Sequence, residues 1–414
     1  MKRVLMVAYH FPPLAGSSGI QRTLRFVQQL PALGWKALVL TAHPRAYERT
    51  SDDLIPEVPP DTVVRRAFAL DATRHLAWRG RYIAATARPD RWTSWRHDAV
   101  RQGMALIREF RPQAIWSTYP IATAHAIGAS LQRRSGLPWI ADFRDPMAQD
   151  GYPADPKTHA EFMRIEGLVA AQAAAWCFTT PGALRAYQAR YPTAAARMRL
   201  LENGYDEPTF ARAETRLSGA PAPLNPGRVT LLHSGIVYAS ERDPTQLFEA
   251  LGHLQRERPD VAARLCIRFR AAVAEDLLHG LAARHGVAGL VQILPAIGYD
   301  DALAEMLAAD GLLIMQAANC NEQVPAKAYE YLRARRPVVC LSDPAGDTWK
   351  VLGDAGVQHI ARLDDAAGIA ALLARFVLEP AEPGWLPRPD AVAGASRHAR
   401  SLALAALLDG VTGG

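Results

Sequence analysis

Two glutamates in the last third of the chain have a spacing that suits sugar chemistry. Glu322 and Glu330 are separated by seven residues and follow the apolar run 311–315 directly. The apolar run predicts a buried strand, and Pro325 predicts the first position of a helix. A helix start favours a phosphate, and Lys327 adds a full positive charge there. Glu330 could bind two neighbouring ribose hydroxyls and Glu322 a sugar ring, so the segment predicts a site for a phosphorylated sugar.

The alternative for this segment is a surface ion pair between Lys327 and Glu330, three residues apart on one helix face. Such a pair would stabilise the helix slightly. It would explain neither the loop position of Glu322 nor Pro325. We therefore expect the segment to bind a ligand.

Glycines of two other loops also follow predicted strands, where open α/β sheets bind their ligands. Gly16 and Gly19 precede a predicted helix and allow a ligand to approach the backbone. Their loop has neither the G-x-G-x-x-G pattern nor a Walker loop, which argues against dinucleotide and P-loop sites. The alternative is a plain flexible loop. Gly235 permits a similar approach later in the chain, and Arg242 could reach a diphosphate there, although a surface arginine before a helix is common.

Charged residues follow the predicted strand 139–141 and are candidates for the wall of a site. They are Asp142, Arg144 and Asp145, and charges of this kind are rarely buried without a purpose. A structural ion pair between Asp142 and Arg144 is the alternative. His125 lies at the start of a predicted helix near another strand end, where a histidine is more often structural.

The elements that position these residues alternate between strand and helix, which predicts an α/β fold with doubly wound parallel sheets. A Pro- and Gly-rich connector, 218–227, divides the chain into two such halves. A final helix is predicted over 391–408, and it has no obvious partner in the second half. The predicted strands are Val4–Ala8, Ala37–Thr41, Ala114–Ser117, Trp139–Ala141, Cys177–Thr179, Met198–Leu201, Val229–His233, Arg264–Arg270, Val291–Leu294, Gly311–Met315 and Pro337–Leu341.

Composition is that of a globular chain with 414 residues, 49% apolar and 21% charged, which is long enough for two domains. No apolar stretch is long enough to predict a transmembrane helix. The N-terminus is expected to form a buried strand rather than a signal peptide. The four cysteines form no C-x-x-C pair, so neither a zinc site nor a disulfide framework is expected, and a cytoplasmic location fits.

Positive charge is concentrated in residues 65–111, which hold eleven arginines against four acidic residues, with Trp78, Trp92 and Trp95 between them. This segment could face anionic lipid headgroups, a phosphorylated acceptor or single-stranded nucleic acid. The alternative is a solvated helical face. Nucleic acid is the weakest of these hypotheses, because no recognition motif accompanies the arginines.

The motifs together resemble the retaining GT-B glycosyltransferases of family 4, in particular bacterial members of exopolysaccharide and cell-surface glycan synthesis. The spacing of Glu322 and Glu330 matches the E-x7-E signature of that family. Other stretches fit the same pattern in the expected order: 9–19, 141–146, 202–206, 233–235 and 324–332. The resemblance covers nearly the whole chain.

The resemblance implies two Rossmann-like domains facing across a cleft, with a C-terminal helix that returns to the first domain. We expect an N-terminal acceptor domain at 1–205, a C-terminal donor domain at 206–390 and the returning helix at 391–414. The donor would be a nucleoside diphosphate sugar, a UDP-sugar in preference to a GDP-sugar. The acceptor would be a glycan, a lipid-linked or a small molecule. The protein would act in the cytoplasm, with contact at the inner face of the membrane through 65–111.

The resemblance also implies roles for individual residues. Donor-binding roles fall on Gly16, Gly19, Gly235, Arg242, Lys327 and Glu330. Catalytic roles fall on Glu322, Asp142 and His125, and Arg144 and Asp145 would line the cleft. Transfer would retain the anomeric configuration and would use neither a metal nor a cofactor, because N–H donors and cations would stabilise the departing diphosphate.

One position departs from the family pattern, because Ile236 follows Gly235 where the family usually has arginine. Arg242 matches the position of the family's usual lysine, and Arg270 at a strand end could contribute to diphosphate binding. Two rival functions stay open. One is a nucleotide-sugar epimerase or hydrolase of the same fold, and the other is a catalytically silent nucleotide-sugar-binding partner protein.

Overall fold

Two compact units make up the computed structural model, which describes residues 1–17, 19–217, 219 and 221–413. The first unit contains residues 1–202 and 398–414, and the second contains residues 203–397. Each unit is a parallel sheet covered by helices. No helix within the described ranges is long and apolar enough to cross a membrane.

The first unit has seven strands in the order β3-β2-β1-β4-β5-β6-β7, and all pairs are parallel. Its elements before the crossing to the second unit are β1 Lys2–Val7, α1 Gly19–Gln29, β2 Trp35–Ala42, β3 Val63–Ala67, α2 Ala72–His75, α3 Trp95–Phe110, β4 Ala114–Thr118, α4 Ala122–Ser135, β5 Trp139–Phe143, α5 Pro156–Gln172, β6 Ala175–Phe178, α6 Pro181–Arg190 and β7 Met198–Leu200.

The second unit repeats the same order with six strands, β10-β9-β8-β11-β12-β13, again all parallel. Its elements are α7 Glu207–Arg216, β8 Val229–Ser234, α8 Thr245–Glu257, α9 Pro259–Ala262, β9 Leu265–Arg270, α10 Glu275–His285, β10 Val291–Leu294, α11 Tyr299–Ala308, β11 Gly311–Gln316, α12 Lys327–Ala334, β12 Val338–Ser342, α13 Asp347–Asp354, β13 Ile360–Ala361, α14 Ala366–Leu378 and α15 Pro389–Gly394. The last helix, α16 Arg397–Thr412, belongs almost entirely to the first unit.

Apolar side chains cover both faces of each sheet, as parallel sheets between helices require. Along β1, Leu5 and Val7 enter one buried cluster, whereas Val4 and Met6 enter the cluster on the opposite face. The sheets are therefore closed to solvent on both faces. Polar groups that contact a ligand must lie in loops or at strand ends.

Each predicted strand corresponds to an observed one, so the predicted α/β, doubly wound class is confirmed. Sequence reasoning missed β3 and β13. The first carries Arg65 and Arg66 at the edge of its sheet, and the second has only two residues, so neither has the apolar pattern of an interior strand.

The end of the chain differs from the single helix predicted over 391–408, because α15 ends at Gly394 and α16 begins at Arg397. Between them the chain bridges Tyr205, whose N–H donates to Ala395 O at 3.2 Å and whose carbonyl accepts from Arg397 N at 2.8 Å. The observed unit boundaries, 202/203 and 397/398, accordingly differ from the predicted 205/206 and 390/391.

Helix α16 packs on the first unit through apolar and polar contacts. Leu404 and Leu408 are fully buried. The Asp409 carboxylate accepts from Lys2 Nζ at 3.0 Å and from Trp35 Nε1 at 3.1 Å. The C-terminal helix therefore belongs to the core of the N-terminal unit.

Replacement of Gly204 by alanine is predicted to destabilise the second unit. A Cβ at Gly204 would lie 2.7 Å from Ala395 O and 3.0 Å from Arg397 N, and backbone atoms cannot move aside as a side chain can. We expect a loss of about 1–3 kcal/mol in the free energy of unfolding, measured by urea denaturation. Gly280→Ala is the control, because Gly280 lies exposed inside α10 with nothing within 4 Å of its Cβ position, and alanine should stabilise that helix. Equal stability of the two variants would contradict the close packing of Gly204 against this backbone.

Candidate functional site

The carboxyl ends of β8 and β11 are adjacent at the centre of the second sheet, where the strand order reverses direction. In doubly wound folds this switch point is where ligands bind. The loops that leave these two strands carry the residues of the predicted donor site. They also meet the start of α12.

Gly235 lies directly after β8 in a left-handed conformation, with φ of +112°. Its N–H donates to Arg270 O at 2.8 Å. A Cβ at this position would lie 3.2 Å from Lys327 Nζ. Both the dihedral angle and the contact favour glycine. At this glycine the backbone that follows β8 comes close to Lys327, the cation in the first turn of α12.

His233 and Lys327 form a hydrogen-bonded pair beside this glycine. The imidazole Nδ1 lies 3.1 Å from Leu313 O, and because a carbonyl oxygen can only accept, Nδ1 carries the proton and donates it. The other ring nitrogen, Nε2, then accepts from Lys327 Nζ, which is 3.1 Å away. Burial, followed by the charge of Lys327, lowers the pKa of His233 well below its usual value. The imidazole is therefore a neutral acceptor.

The Lys327 amine is poised between its two protonation states. Burial, followed by the nearby guanidinium of Arg242, lowers the pKa of Lys327 to about 7, while Glu330 opposes the shift. An arriving anion would favour the ammonium form. Binding of a phosphate beside Lys327 would therefore raise the pKa of the amine and add a positive charge to the site.

Arg242 is oriented by the loop that it follows. It donates from Nη1 to Ile236 O at 3.0 Å, and its guanidinium lies 5.2 Å from the ring centre of Tyr238. Ile236 itself is 38% exposed. Arg242 supplies positive charge near Lys327.

Glu330 lies in the first turn of α12, and its carboxylate Oε1 accepts from the Tyr299 hydroxyl at 2.6 Å. Burial raises the pKa of Glu330, whereas the Tyr299 hydrogen bond and the charges of Arg397 and Lys327 lower it. Tyr299 as a whole is 46% exposed. The carboxylate and the ring together form a polar and an aromatic surface at the start of α11 and α12.

Glu322 lies exposed in the loop between β11 and α12. Hydrogen bonds fasten this loop on both sides of it: Asp347 N donates to Asn321 O at 2.7 Å, and Thr348 Oγ1 donates to Gln323 O at 2.9 Å. The glutamate therefore projects from a fixed backbone.

The predicted helix start at Pro325 was wrong by two residues, because α12 begins at Lys327. Pro325 lies in the turn before it and accepts from Ala328 N at 2.8 Å through its carbonyl. Lys327 is consequently the first residue of the helix, and its side chain approaches β8.

Arg270, considered for diphosphate binding, is committed to another partner. Its guanidinium donates to both carboxylate oxygens of Glu305, at 2.7 Å and 2.8 Å. Arg268 donates to the same carboxylate at 3.0 Å. Since these groups satisfy each other in a largely buried cluster, Arg270 stabilises the sheet edge rather than binding a phosphate.

Asp142 is fully buried and paired with Arg22, not with Arg144. Arg22 donates to the two carboxylate oxygens at 2.9 Å and 2.7 Å, and Thr118 Oγ1 donates to one of them at 2.8 Å. Arg22 also donates to Leu201 O at 2.8 Å. This environment does not support the predicted catalytic role, because the carboxylate cannot contact a substrate; Asp142 positions α1 against the ends of β4, β5 and β7.

His125 is also fully buried, inside α4. Its Nδ1 lies 2.8 Å from Ser117 Oγ, and its ring stacks on Phe143 with centroids 4.5 Å apart. Burial lowers the pKa of His125 to about 3. The imidazole is thus a neutral core group, and its environment does not support the predicted catalytic role either.

The first unit places Gly19, His10 and Arg144 together at the start of α1. A Cβ at Gly19 would overlap with the side chains of both other residues, which explains why glycine is needed there. Burial lowers the pKa of Arg144, and burial followed by the charge of Arg144 lowers the pKa of His10 to about 3. Nε and Nη1 of Arg144 have no hydrogen-bond partner among the described residues. An anion near the N-terminus of α1 could supply one.

The remaining predicted residues of the first unit are Gly16 and Asp145, and both are exposed. Gly16 has φ of +78°, so its loop uses the left-handed conformation that glycine allows. Asp145 adjoins Arg144 and opposes the lowering of its pKa. Among the residues that the structure describes, neither has a contact that fixes its role.

Sequence reasoning did not assign roles to His233, Tyr299 or Arg22. His233 and Tyr299 contact Lys327 and Glu330 across 94 and 31 residues of sequence, and Arg22 meets Asp142 across 120. No local pattern marks such contacts. The only available signal was the position of His233 at a strand end. Within the described residues, no three His, Cys, Asp or Glu side chains are grouped to hold a metal ion.

Comparison with protein-family models gives one match, in which residues 18–204 correspond to the family described as "Glycosyl transferase 4-like domain". No curated protein matches the chain. Residues 18–204, nearly all of which lie in the first unit, are thus similar to a glycosyl transferase 4-like domain, and the resemblance predicted from the motifs is confirmed at this level.

Solved structures share the fold over the whole chain. Sucrose-phosphate synthase from Thermosynechococcus elongatus has a TM-score of 0.66 and 14% identity over 98% of each chain. An α,α-trehalose-phosphate synthase (UDP-forming) from Burkholderia vietnamiensis has a TM-score of 0.64 and 15% identity over 100% of each chain. A trehalose-6-phosphate structure from E. coli bound with UDP-2-fluoro glucose has a TM-score of 0.57 and 14% identity over 100% of this chain and 97% of that chain. The chain thus has the GT-B fold, with two Rossmann-like domains.

The buried pair of Asp142 and Arg22 predicts a large stability difference between two aspartate variants. Asp142→Asn would leave Arg22 as a buried charge without its ionic partner, and we expect a loss of about 3–5 kcal/mol in the free energy of unfolding. Asp61→Asn is the control, since Asp61 pairs with Lys36 at 73% exposure and should cost less than about 1 kcal/mol. Urea denaturation followed by tryptophan emission measures both, because seven of the nine tryptophans lie in this unit.

The double variant Arg22→Met, Asp142→Leu keeps this prediction testable even if Asp142→Asn fails to fold. Removal of both charges should restore much of the stability lost by removal of one. A double variant no more stable than Asp142→Asn would contradict the role of Asp142 as the partner of a buried cation.

Proposed function

We propose, from the glycosyl transferase 4-like domain at 18–204 and the GT-B fold of the whole chain, that the protein is a retaining glycosyltransferase. It moves a sugar from a nucleoside diphosphate sugar to a glycan, a lipid-linked or a small-molecule acceptor. The observation that carries this proposal is the group formed by Gly235, Arg242, Lys327 and Glu330 at the switch point of the second sheet. The backbone of Gly235, the two cations and the Glu330 carboxylate lie close together there.

These four residues and Glu322 divide the donor between them. Close backbone approach at Gly235 and the charges of Lys327 and Arg242 suit a diphosphate, while Glu330 suits the ribose hydroxyls and Glu322 the transferred sugar. The names of the structural relatives support a UDP-sugar: one is a UDP-forming synthase, and another holds UDP-2-fluoro glucose. In the first unit, Gly16, Gly19 and Arg144 offer a further place for negative charge.

Stabilisation of the leaving diphosphate is the chemical step that these residues serve. Negative charge develops on the diphosphate as the bond from the sugar to its oxygen breaks, and preorganised cations lower the energy of that state. Lys327 in its ammonium form, with Arg242, would do so without a metal. The departing phosphate would then help to take the proton of the acceptor hydroxyl.

Reaction in the cytoplasm, with contact at the inner face of the membrane through residues 65–111, is part of this proposal. All four cysteines are buried thiols, as is usual for chains in a reducing compartment. A role in exopolysaccharide or cell-surface glycan synthesis follows from the family resemblance alone. Identification of the acceptor that the purified enzyme uses would test this role.

Two carboxylate variants test the proposed division of the donor. Glu330→Gln should weaken both UDP and UDP-glucose binding roughly tenfold to a hundredfold, because a charge-assisted hydrogen bond contributes about 1.5–3 kcal/mol. Glu322→Gln is the matched variant: it should leave UDP binding unchanged, weaken UDP-glucose binding and stop turnover. Calorimetry measures binding, and release of UDP with crude lipid or glycan extract measures turnover. If Glu330→Gln binds UDP with wild-type affinity, Glu330 does not bind the ribose.

The same assays separate the rival functions, after a thermal-shift screen of UDP- and GDP-sugars has identified the donor. A transferase releases little product from donor alone, whereas a hydrolase releases it fully and an epimerase interconverts the sugar without release. Tight binding with no transfer to any acceptor would favour the silent partner protein. NMR of the product would show whether the anomeric configuration is retained.

Protonation of Lys327 predicts how donor binding depends on pH. The pKa of Lys327 is about 7 in the free chain, and the diphosphate raises it, so binding takes up a proton above pH 7. Affinity for UDP-glucose should therefore fall as pH rises from about 7 towards the higher pKa of the complex, by up to about tenfold per pH unit. Calorimetry in buffers of different ionisation enthalpy would show the proton uptake directly.

Two lysine variants serve as controls for this pH dependence. Lys327→Met should bind UDP-glucose weakly and without the proton uptake. Lys350→Met should retain both, because Lys350 is exposed in α13 and donates to Ala345 O. Proton uptake that persists in Lys327→Met would place the titrating group elsewhere.

A further inference from the structure

A tight turn projects from the first unit between α2 and α3. Trp78 and Arg81 exchange two backbone hydrogen bonds, of 2.7 Å and 3.0 Å. Arg79 and Gly80 between them have φ values of +50° and +76°. Positive φ at both central residues is the geometry of a two-residue hairpin turn, which is compatible with the twist of the paired backbone. The turn therefore has a defined shape.

Large apolar side chains on this turn are exposed to solvent. Trp78 is 77% exposed and Ile83 72%, and Leu76 and Tyr82 are each 43% exposed. With Arg79 and Arg81 they surround an open concavity of about 810 Å³. Tryptophan is rarely so exposed, and a contiguous apolar patch of this kind marks a surface that contacts something else.

The charge of the turn itself is positive without compensation. No acidic residue occurs between Asp71 and Asp90, whereas four arginines do. Arg79 and Arg81 are exposed and have no carboxylate within 4.0 Å among the described residues. A partner for this turn must therefore accept both apolar side chains and guanidinium groups.

We propose that the turn 76–83 docks on the surface of an anionic lipid bilayer. Trp78, Tyr82 and Ile83 enter the boundary between headgroups and acyl chains, where amphipathic aromatic rings are favoured. Arg79 and Arg81 remain at the level of the lipid phosphates. This rests on the membrane contact proposed for residues 65–111 and narrows it to one element, and it does not depend on the identity of the donor.

Charge and composition favour a bilayer over the other partners. A second copy of this chain would bring the same arginines against each other, which disfavours pairing through the turn. Nucleic acid would use the arginines but would leave Ile83 and Leu76 exposed. A lipid surface with negative headgroups accommodates both classes of side chain at once.

Co-sedimentation of the full chain with lipid vesicles tests the proposal. The wild-type chain should bind vesicles of phosphatidylcholine mixed with phosphatidylglycerol, bind poorly to phosphatidylcholine alone, and lose binding as salt is added. Trp78→Ala with Ile83→Ser should reduce the bound fraction, and Arg79→Glu with Arg81→Glu should weaken binding roughly tenfold or more. Quenching of tryptophan emission by brominated lipid should fall in Trp78→Phe although binding is retained.

Matched surface variants separate this turn from general surface properties. Leu386→Ser with Leu402→Ser removes apolar side chains that are 52% and 47% exposed, and Arg133→Glu with Arg134→Glu reverses two exposed arginines of α4. Both should bind vesicles nearly as the wild type does. Equal losses in the turn and control variants would overturn the role of the turn.

The remaining outcomes distinguish this proposal from the ones on which it rests. A wild-type chain that ignores anionic vesicles would overturn both the membrane contact and the turn, while the transferase assays would stand by themselves. A change of oligomeric state on gel filtration in Trp78→Ala, without vesicle binding by the wild type, would assign the turn to a contact between copies of the chain.

Discussion

Parallel strand pairing is the constraint on which the arrangement of both units depends. When all strands of a sheet run in one direction, each connection must return across a face of the sheet, and helices then cover both faces. The strands are consequently apolar throughout. The loops that follow them collect at one edge, so that β8, β11 and the start of α12 meet although they are far apart in sequence.

Charges at strand ends have two different fates in this fold. Some remain at the edge, as Lys327 and Glu330 do, and keep partners that a ligand could replace. Others turn inward and are matched by a distant residue, as Asp142 is by Arg22 and Arg270 is by Glu305. Because an unpaired buried charge is costly, each inward residue requires its partner, and such a residue belongs to the scaffold.

Local patterns explain which features could be predicted from the sequence. The apolar strands, their alternation with helices and the strand–loop–helix form of the segment around Glu322 and Glu330 depend on neighbours within a few residues. They were predicted correctly, apart from the helix start and the two strands without an apolar pattern, β3 and β13. The inward turn of Asp142 and the contact of Lys327 with His233 depend on groups 120 and 94 residues away. A charged residue after a strand, such as Asp142, has the same local sequence whether its side chain turns inward or remains at the edge of the sheet.

The hydrogen bond from Tyr299 to Glu330 has a consequence for ligand selection. In the free chain the phenol already satisfies one oxygen of the carboxylate, so a hydroxyl that takes its place exchanges one hydrogen bond for another and gains little from that oxygen alone. A ligand without the hydroxyl does not displace the Tyr299 phenol, so the Glu330 carboxylate keeps this hydrogen bond. Preference for ribose over deoxyribose at this position should therefore depend on the second oxygen of the carboxylate and on the charge-assisted hydrogen bond that a ribose hydroxyl makes to it.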